Sequence, residues 1–230
     1  MVRRRLYFGQ MPLDDARLPG SDGEHAVQER WDAADRARSF YDRQMLDHIN
    51  DVMREFIARQ EMVFVATADA RGECDSSFRA GEPGFITVLD ERTLIYPEFR
   101  GNGVYASLGN LEENAHIGLM FVDFFEDLIG LHVNGSVSIL EHEQLLADER
   151  VTMPLLEMLT RVGGRRPERW VAVHVHEAYI HCSKHIPRLA KLDRQVDWGT
   201  DDAKRKGGDY FGAAESKGLA APSANAEAEA

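Results

Sequence analysis

Three short stretches of this 230-residue chain carry side chains whose type and spacing suit chemistry. The first is Pro97-Glu-Phe-Arg-Gly-Asn-Gly-Val-Tyr-Ala-Ser107. A strand is expected to end at Tyr96, and a helix to begin near Asn102 after the turn Arg100-Gly101-Asn102-Gly103. Asn102 is a good N-cap, and glycine on either side lets a ligand approach the backbone closely. The free amides and dipole of a first helical turn favour an anion, and Arg100 adds a planar, bidentate donor. The segment reads either as a phosphate cradle or as a strand-to-helix turn whose glycines only satisfy backbone angles.

The second stretch is Asp75-Ser-Ser-Phe-Arg-Ala-Gly81. On a strand, Ser77 and Arg79 point to one side while Ser76 and Phe78 point to the other. A mid-strand arginine is costly to bury alone, so Arg79 either lies on a solvated face or is neutralised by an anion. The third stretch, Tyr179-Ile-His-Cys-Ser-Lys-His185, falls where the last strand should end. His181, Cys182 and Lys184 there are candidates for a proton donor or an anion contact. Cys182 equally reads as a small buried thiol.

Two further signals are weaker. His174 and His176 share a strand face, but neither a carboxylate nor a cysteine completes a metal spacing, so no metal is expected. Arg161, Arg165, Arg166 and Arg169 surround a Gly-Gly turn and read as a solvated loop before they read as an anion site.

Positioning these residues requires a set of paired strands. Met45, Leu46, Ile49, Val52, Met53, Phe56 and Ile57 recur at three- and four-residue spacing, which predicts an amphipathic helix. Met62–Thr67 and Glu73–Ala80 flank the turn Asp69-Ala-Arg-Gly72, the chemistry of a β-hairpin. A second hairpin is expected from Gly84–Leu89 and Leu94–Tyr96. Val104, Leu108 and Leu111 fit one face of a short helix. His116–Val122 and Leu128–Leu140 form another strand pair, Glu141–Arg161 reads helical, and Arg169–Cys182 alternates again. Six or seven strands in pairs, with helices inserted, argue for a mainly β, antiparallel barrel with peripheral helices.

Composition bounds the rest. The chain is 43% hydrophobic and 29% charged, which is ordinary for a globular domain with one sizeable core. Acidic residues outnumber basic ones 39 to 27, a formal net charge of −12, which disfavours nucleic-acid binding. Anionic small molecules need only a local cluster of donors. No apolar run suits a membrane span, the start MVRRRLYFGQMPLDD lacks a signal-peptide core, and two cysteines are too few for a disulfide framework. A cytoplasmic setting is the expectation. Residues 1–40 read as a polar, partly helical arm, 41–195 as the barrel domain, and 196–230 as a disordered tail too poor in apolar residues to fold.

The order of helix, hairpin, Asp75-Ser-Ser-Phe-Arg-Ala-Gly81, Gly84-Phe-Ile, Arg100-Gly-Asn and Ser107-Leu-Gly-Asn-Leu-x-x-Asn114 resembles the pyridoxamine 5′-phosphate oxidase-like flavin-binding family. More narrowly, it is similar to a branch of predicted flavin-nucleotide-binding proteins. The resemblance runs from about Met45 to His185. It implies a split β-barrel that forms a homodimer, with FMN at the subunit interface and hydride transfer through flavin N5. The family's first cofactor strand matches Ser76, Ser77, Phe78 and Arg79. Its second cofactor element matches Pro97, Arg100, Gly101, Asn102 and Ser107. The narrower branch also has a His-Cys-x-Lys run like His181 to Lys184. Two departures set this chain apart from the oxidases proper: no lysine follows Arg100 in the turn, and the chain ends in an Ala/Glu tail instead of an Arg-rich substrate segment. Pyridoxamine phosphate is therefore not the expected substrate. The resemblance leaves two alternatives beside an FMN oxidoreductase: an F420-dependent reductase of the same fold, and a flavin- or haem-binding protein without turnover.

Overall fold

The alternation of Val63, Val65 and Thr67 with Phe64, Ala66 and Ala68 places one set inside and one outside, and this pattern organises the whole sheet. The structure is a computed structural model that describes residues 18–160, 167–192, 202, 205 and 207–219. Its strands are β1 (Met45–Leu46), β2 (Met62–Ala68), β3 (Cys74–Ala80), β4 (Thr87–Asp90), β5 (Thr93–Glu98), β6 (His116–Val122), β7 (Gly130–Leu140) and β8 (Arg169–His181). All pairings are antiparallel, in the order β3-β2-β6-β7-β8-β5-β4, with the two-residue β1 beside β8. This is the expected mainly β, split-barrel architecture, with the hairpins where the turn chemistry placed them.

The sheet curls round one apolar core to which β2, β5, β6, β7 and β8 all contribute, including Val63, Leu94, Tyr96, Leu119, Phe121, Val133 and Val173. Curling is helped by an irregularity between Asn134 and Gly135, where β7 and β8 change register. A Cβ at Gly135 would lie 2.1 Å from the carbonyl oxygen of His174, so only glycine fits there. A second, smaller core lies on the other side of β5 and β8, where Trp170 and Ile95 pack against Leu145 and Val151.

Helix α1 spans Asp22–Arg30 and α2 Ala34–Gln44. Thus the described part of the polar arm is largely helical, and α2 runs past residue 40 to dock on the sheet; residues 1–17 lie outside the described residues. Tyr41 is buried, and the Phe40 ring meets Tyr179 edge-on at 5.8 Å. Helix α3 is Asp51–Ala58, capped by Asn50. It is shorter than the apolar spacing from Met45 predicted, because Met45 and Leu46 pair with Tyr179 and Ala178 as a strand. The backbone hydrogen bonds offered by β8 outweigh the helical periodicity there.

Helix α4 is Ala106–Glu113. The Glu141–Arg161 segment divides into α5 (His142–Leu146) and α6 (Met153–Thr160). Between them Asp148 and Arg150 turn inward, and their ion pair replaces the helix that a continuous pattern would make. A one-turn helix α7, Ala213–Ser216, lies in the segment expected to be a tail and buries nothing. No helix among the described residues is long and apolar enough to cross a membrane.

Candidate functional site

Strand β3 forms one edge of the sheet, and β5 is the second strand from the other edge. Arg79 on β3 and Glu98 at the end of β5 reach across this seam. The guanidinium Nε donates to Glu98 Oε1 at 2.8 Å, and a terminal nitrogen lies 2.8 Å from the same oxygen. The other terminal nitrogen donates to the Phe78 carbonyl at 3.2 Å. The Glu98 side chain is 6% exposed and that of Arg79 25%, so the pair is shielded on the carboxylate side and open on the cation side. Arg79 is therefore neutralised by an anion and is not on a freely solvated face. Burial pushes the Glu98 carboxyl above the usual carboxylate range, and Arg79 pulls it back down.

Side chains alternate along β3 as the sequence predicted. Asp75, Ser77 and Arg79 are partly buried toward the seam, while Ser76 and Phe78 are exposed. Helix α4 packs against this edge: Ser107 is buried, lies 3.0 Å from the Ser77 hydroxyl and donates to Asp75 at 3.1 Å. Asn110 donates to Thr67 at 3.1 Å, fixing α4 on β2 as well. Ser77 and Ser107 thus meet, as a hinge between strand and helix. Ser76 and Phe78 face outward, with the Phe78 ring 5.5 Å from Phe64.

The turn after β5 differs from expectation in one respect. The helix starts at Ala106, four residues beyond Asn102, and its N-cap is Tyr105 in the left-handed region (φ 53°). Asn102 instead accepts the Val104 amide at 3.0 Å and shapes the turn. Val104, counted as a helix-face residue in the sequence pattern, is outside the helix and 70% exposed. The cause is local: Gly101 and Gly103 both take positive φ, and Tyr105 is tied by its hydroxyl to Glu168, so the chain cannot enter a helix before Ala106. Helical amides of α4 therefore do not belong to the Arg100–Gly103 turn itself. The turn still presents the exposed side chains of Arg100 and Asn102, and a Cβ at Gly103 would meet open space. Pro97 is buried within β5, paired with Trp170.

One buried group is unsatisfied. Tyr96 points into the core two residues before Glu98, is completely buried, and its hydroxyl has no hydrogen-bond partner among the described residues. Burial holds the phenol far above its ordinary range, so it remains neutral.

The third candidate cluster lies elsewhere. β8 has thirteen residues, and Glu98 pairs with Arg169 at its start, whereas His181 pairs with Gly130 at its end. His132 Nε2 and His181 Nδ1 are 2.9 Å apart, and the His132 ring stacks on Tyr179 at 4.8 Å. Burial and the neighbouring His181 both push the His132 imidazole down. The two rings share one hydrogen bond, so each fixes the orientation of the other. Cys182 is exposed, which overturns the buried-thiol reading: the strand has ended, and its sulfur accepts the Lys184 amide at 3.5 Å as a turn cap. Lys184 is exposed. Among the described contacts none joins these three side chains to Arg79 or Arg100.

His174 and His176 are neighbours at 5.7 Å between ring centres, and His176 bonds Ser136 at 3.1 Å. No group of three or more potential metal ligands occurs among the described residues. Arg169 pairs with Glu141 at 3.0 Å, while Arg161, Arg165 and Arg166 lie outside the described residues. The residue at this seam that sequence reasoning missed is Glu98, the partner of Arg79. Its only signal was indirect: a mid-strand arginine facing a barrel interior requires an anion, and Glu98 sits inside the very segment expected to meet it.

Residues 49–182, more than half of the chain, match the family model for pyridoxamine 5′-phosphate oxidase, and the chain belongs to that family. No curated protein matches the sequence. Among solved structures the chain is similar to HupZ of Group A Streptococcus, with 23% identity over 62% of this chain and 99% of that one, and a TM-score of 0.42. It is also similar to an FMN-binding protein from Syntrophomonas wolfei (14%, 70% and 97%, TM-score 0.43). A third is HutZ, the heme storage protein from Vibrio cholerae (15%, 58% and 93%, TM-score 0.42).

Proposed function

We propose that this chain binds FMN at the barrel seam, as a cytoplasmic homodimer, and acts as an oxidoreductase on a small molecule. The observation that carries the reading is Arg79, held across the seam by Glu98 with its outer edge open, beside a turn that presents Arg100. Two guanidinium groups and a glycine-containing turn suit the phosphate of a flavin mononucleotide. On the Arg79 side of β3, Ser77, 3.0 Å from Ser107, offers a hydroxyl to the rest of such a ligand. When bound, the flavin supplies hydride chemistry at N5; the protein binds, orients and shields it. His181 is the proton donor this reading favours, supplied from the partner subunit, because its ring is held in place by His132 while its own chain keeps it away from the seam.

The test is an absorbance and fluorescence titration of the purified protein with FMN and, separately, with the deazaflavin F420. Saturable FMN binding that Arg79→Ala and Arg100→Ala weaken supports the proposal. Saturation by F420 alone moves the assignment to deazaflavin chemistry, and saturation by neither overturns it. Tight FMN binding with no reduction by any donor makes the protein a flavin carrier.

A further inference from the structure

The Arg79–Glu98 pair is unequally exposed on its two sides. Two guanidinium donors converge on one carboxylate oxygen, the carboxylate is almost fully enclosed, and the cation keeps an open edge. The enclosed carboxylate depends on Arg79 for its counter-charge, whereas the part-exposed cation can also be reached by a second anion from solvent. The geometry is that of a cation whose anion is supplied from within until another arrives.

We propose that Glu98 is a built-in competitor for the cofactor phosphate, so that binding of the phosphate to Arg79 is coupled to uptake of one proton by Glu98. This rests on the reading that Arg79 contacts an anionic cofactor. In the free protein Arg79 stabilises the Glu98 carboxylate. When a phosphate takes over the guanidinium, the enclosed carboxylate loses its counter-charge and takes a proton from solvent at one of its oxygens. The carboxyl so formed is neutral, which its enclosed position favours.

The groups that act on Glu98 are few. Arg79 faces it from β3, and Tyr96 precedes it on β5. Arg169, its cross-strand neighbour on β8, is engaged by Glu141. Burial raises the Glu98 carboxyl and Arg79 lowers it, so removing the Arg79 contribution raises it further. The sign follows: affinity falls as pH rises through the interval between the two states, by up to about tenfold per pH unit for one coupled proton.

The experiment is calorimetric titration of the full chain with FMN in two buffers of different ionisation enthalpy, between pH 6 and 9. The wild type is compared with Glu98→Gln, and melting temperature confirms that the variant is folded. The expected result is net proton uptake in the wild type that the variant lacks, with equal or tighter FMN binding by the variant and a flatter pH profile. The phosphate of FMN itself titrates equally in both and cancels. A second comparison needs no variant: riboflavin, which lacks the phosphate, should bind the wild type without proton uptake. FMN binding with the same proton count in wild type and variant, or with the same count for riboflavin, overturns the coupling and leaves the FMN reading standing. Failure of FMN to bind either protein overturns both.

Discussion

Arg150 and Arg79 both bring a guanidinium into the folded interior, and the two are satisfied in opposite ways. Arg150, between α5 and α6, spreads its donors over several acceptors. Nε and one terminal nitrogen grip the two oxygens of Asp148, and the other terminal nitrogen reaches Asp90 and Thr93. Its side chain is 11% exposed and that of Asp148 is fully buried. Nothing is left for a ligand, and the result is a lock that fastens the second core to the β4–β5 hairpin. Arg79 has one carboxylate oxygen, one carbonyl and an open edge. Saturation of donors is what separates a residue that holds a fold together from one that is available to a ligand.

That contrast can be broken most severely at the lock. Asp148→Ala strands a nearly buried guanidinium, and should cost about 3 kcal/mol of unfolding free energy. Urea denaturation checks this, with FMN affinity of the folded fraction unchanged. A smaller effect on stability is expected at the seam, where Glu98 can take up a proton once Arg79 is gone, and the main loss is in binding. Arg79→Ala should weaken FMN by about 2 kcal/mol, roughly 30-fold, as one charge-assisted contact is lost. Arg100→Ala should cost less, about 1 kcal/mol, because its side chain is exposed and screened. Glu98→Gln sharpens the comparison: it should change stability by less than about 1 kcal/mol, since the amide oxygen still accepts from Arg79 while the cost of burying a charge disappears. Equal destabilisation by Asp148→Ala and Glu98→Gln would erase the distinction drawn between the two pairs.

The smallest expected effect concerns the outer sheet face. Burial holds His132 and His174 below the ordinary imidazole range. The unfolded chain therefore binds more protons at acid pH, so their stabilisation is present above about pH 6.5 and fades as pH falls below it. Thermal melting from pH 8 to 5 should show a gradual loss, and His132→Gln should make it shallower. An unchanged slope in that variant would place the acid sensitivity elsewhere.

The hairpins, the alternation of β7 and β8, and the alternation of the β3 segment were legible as strings, because each depends on neighbours in sequence. Alternating side chains, a glycine-terminated turn and the incompatibility of a lone buried charge are local facts. The boundary of α4 was not legible, since Tyr105 is held by Glu168 from a distant segment. Nor was the fate of Met45 and Leu46, whose helical spacing yields to pairing with β8.

The sequence by itself determined the pleat and the pairing of strands, the family, and the choice for Arg79 between a solvated face and an anion. Which anion was decided only in three dimensions. β3 and β5 are not hydrogen-bonded neighbours, and only the curl of the sheet brings Arg79 to Glu98 across its two ends. The same curl left the Tyr96 hydroxyl without a partner, and the length of β8 set His181 apart from the seam. Contacts between residues far apart in the chain follow from the closure of the sheet as a whole, and no local pattern encodes how far that closure goes.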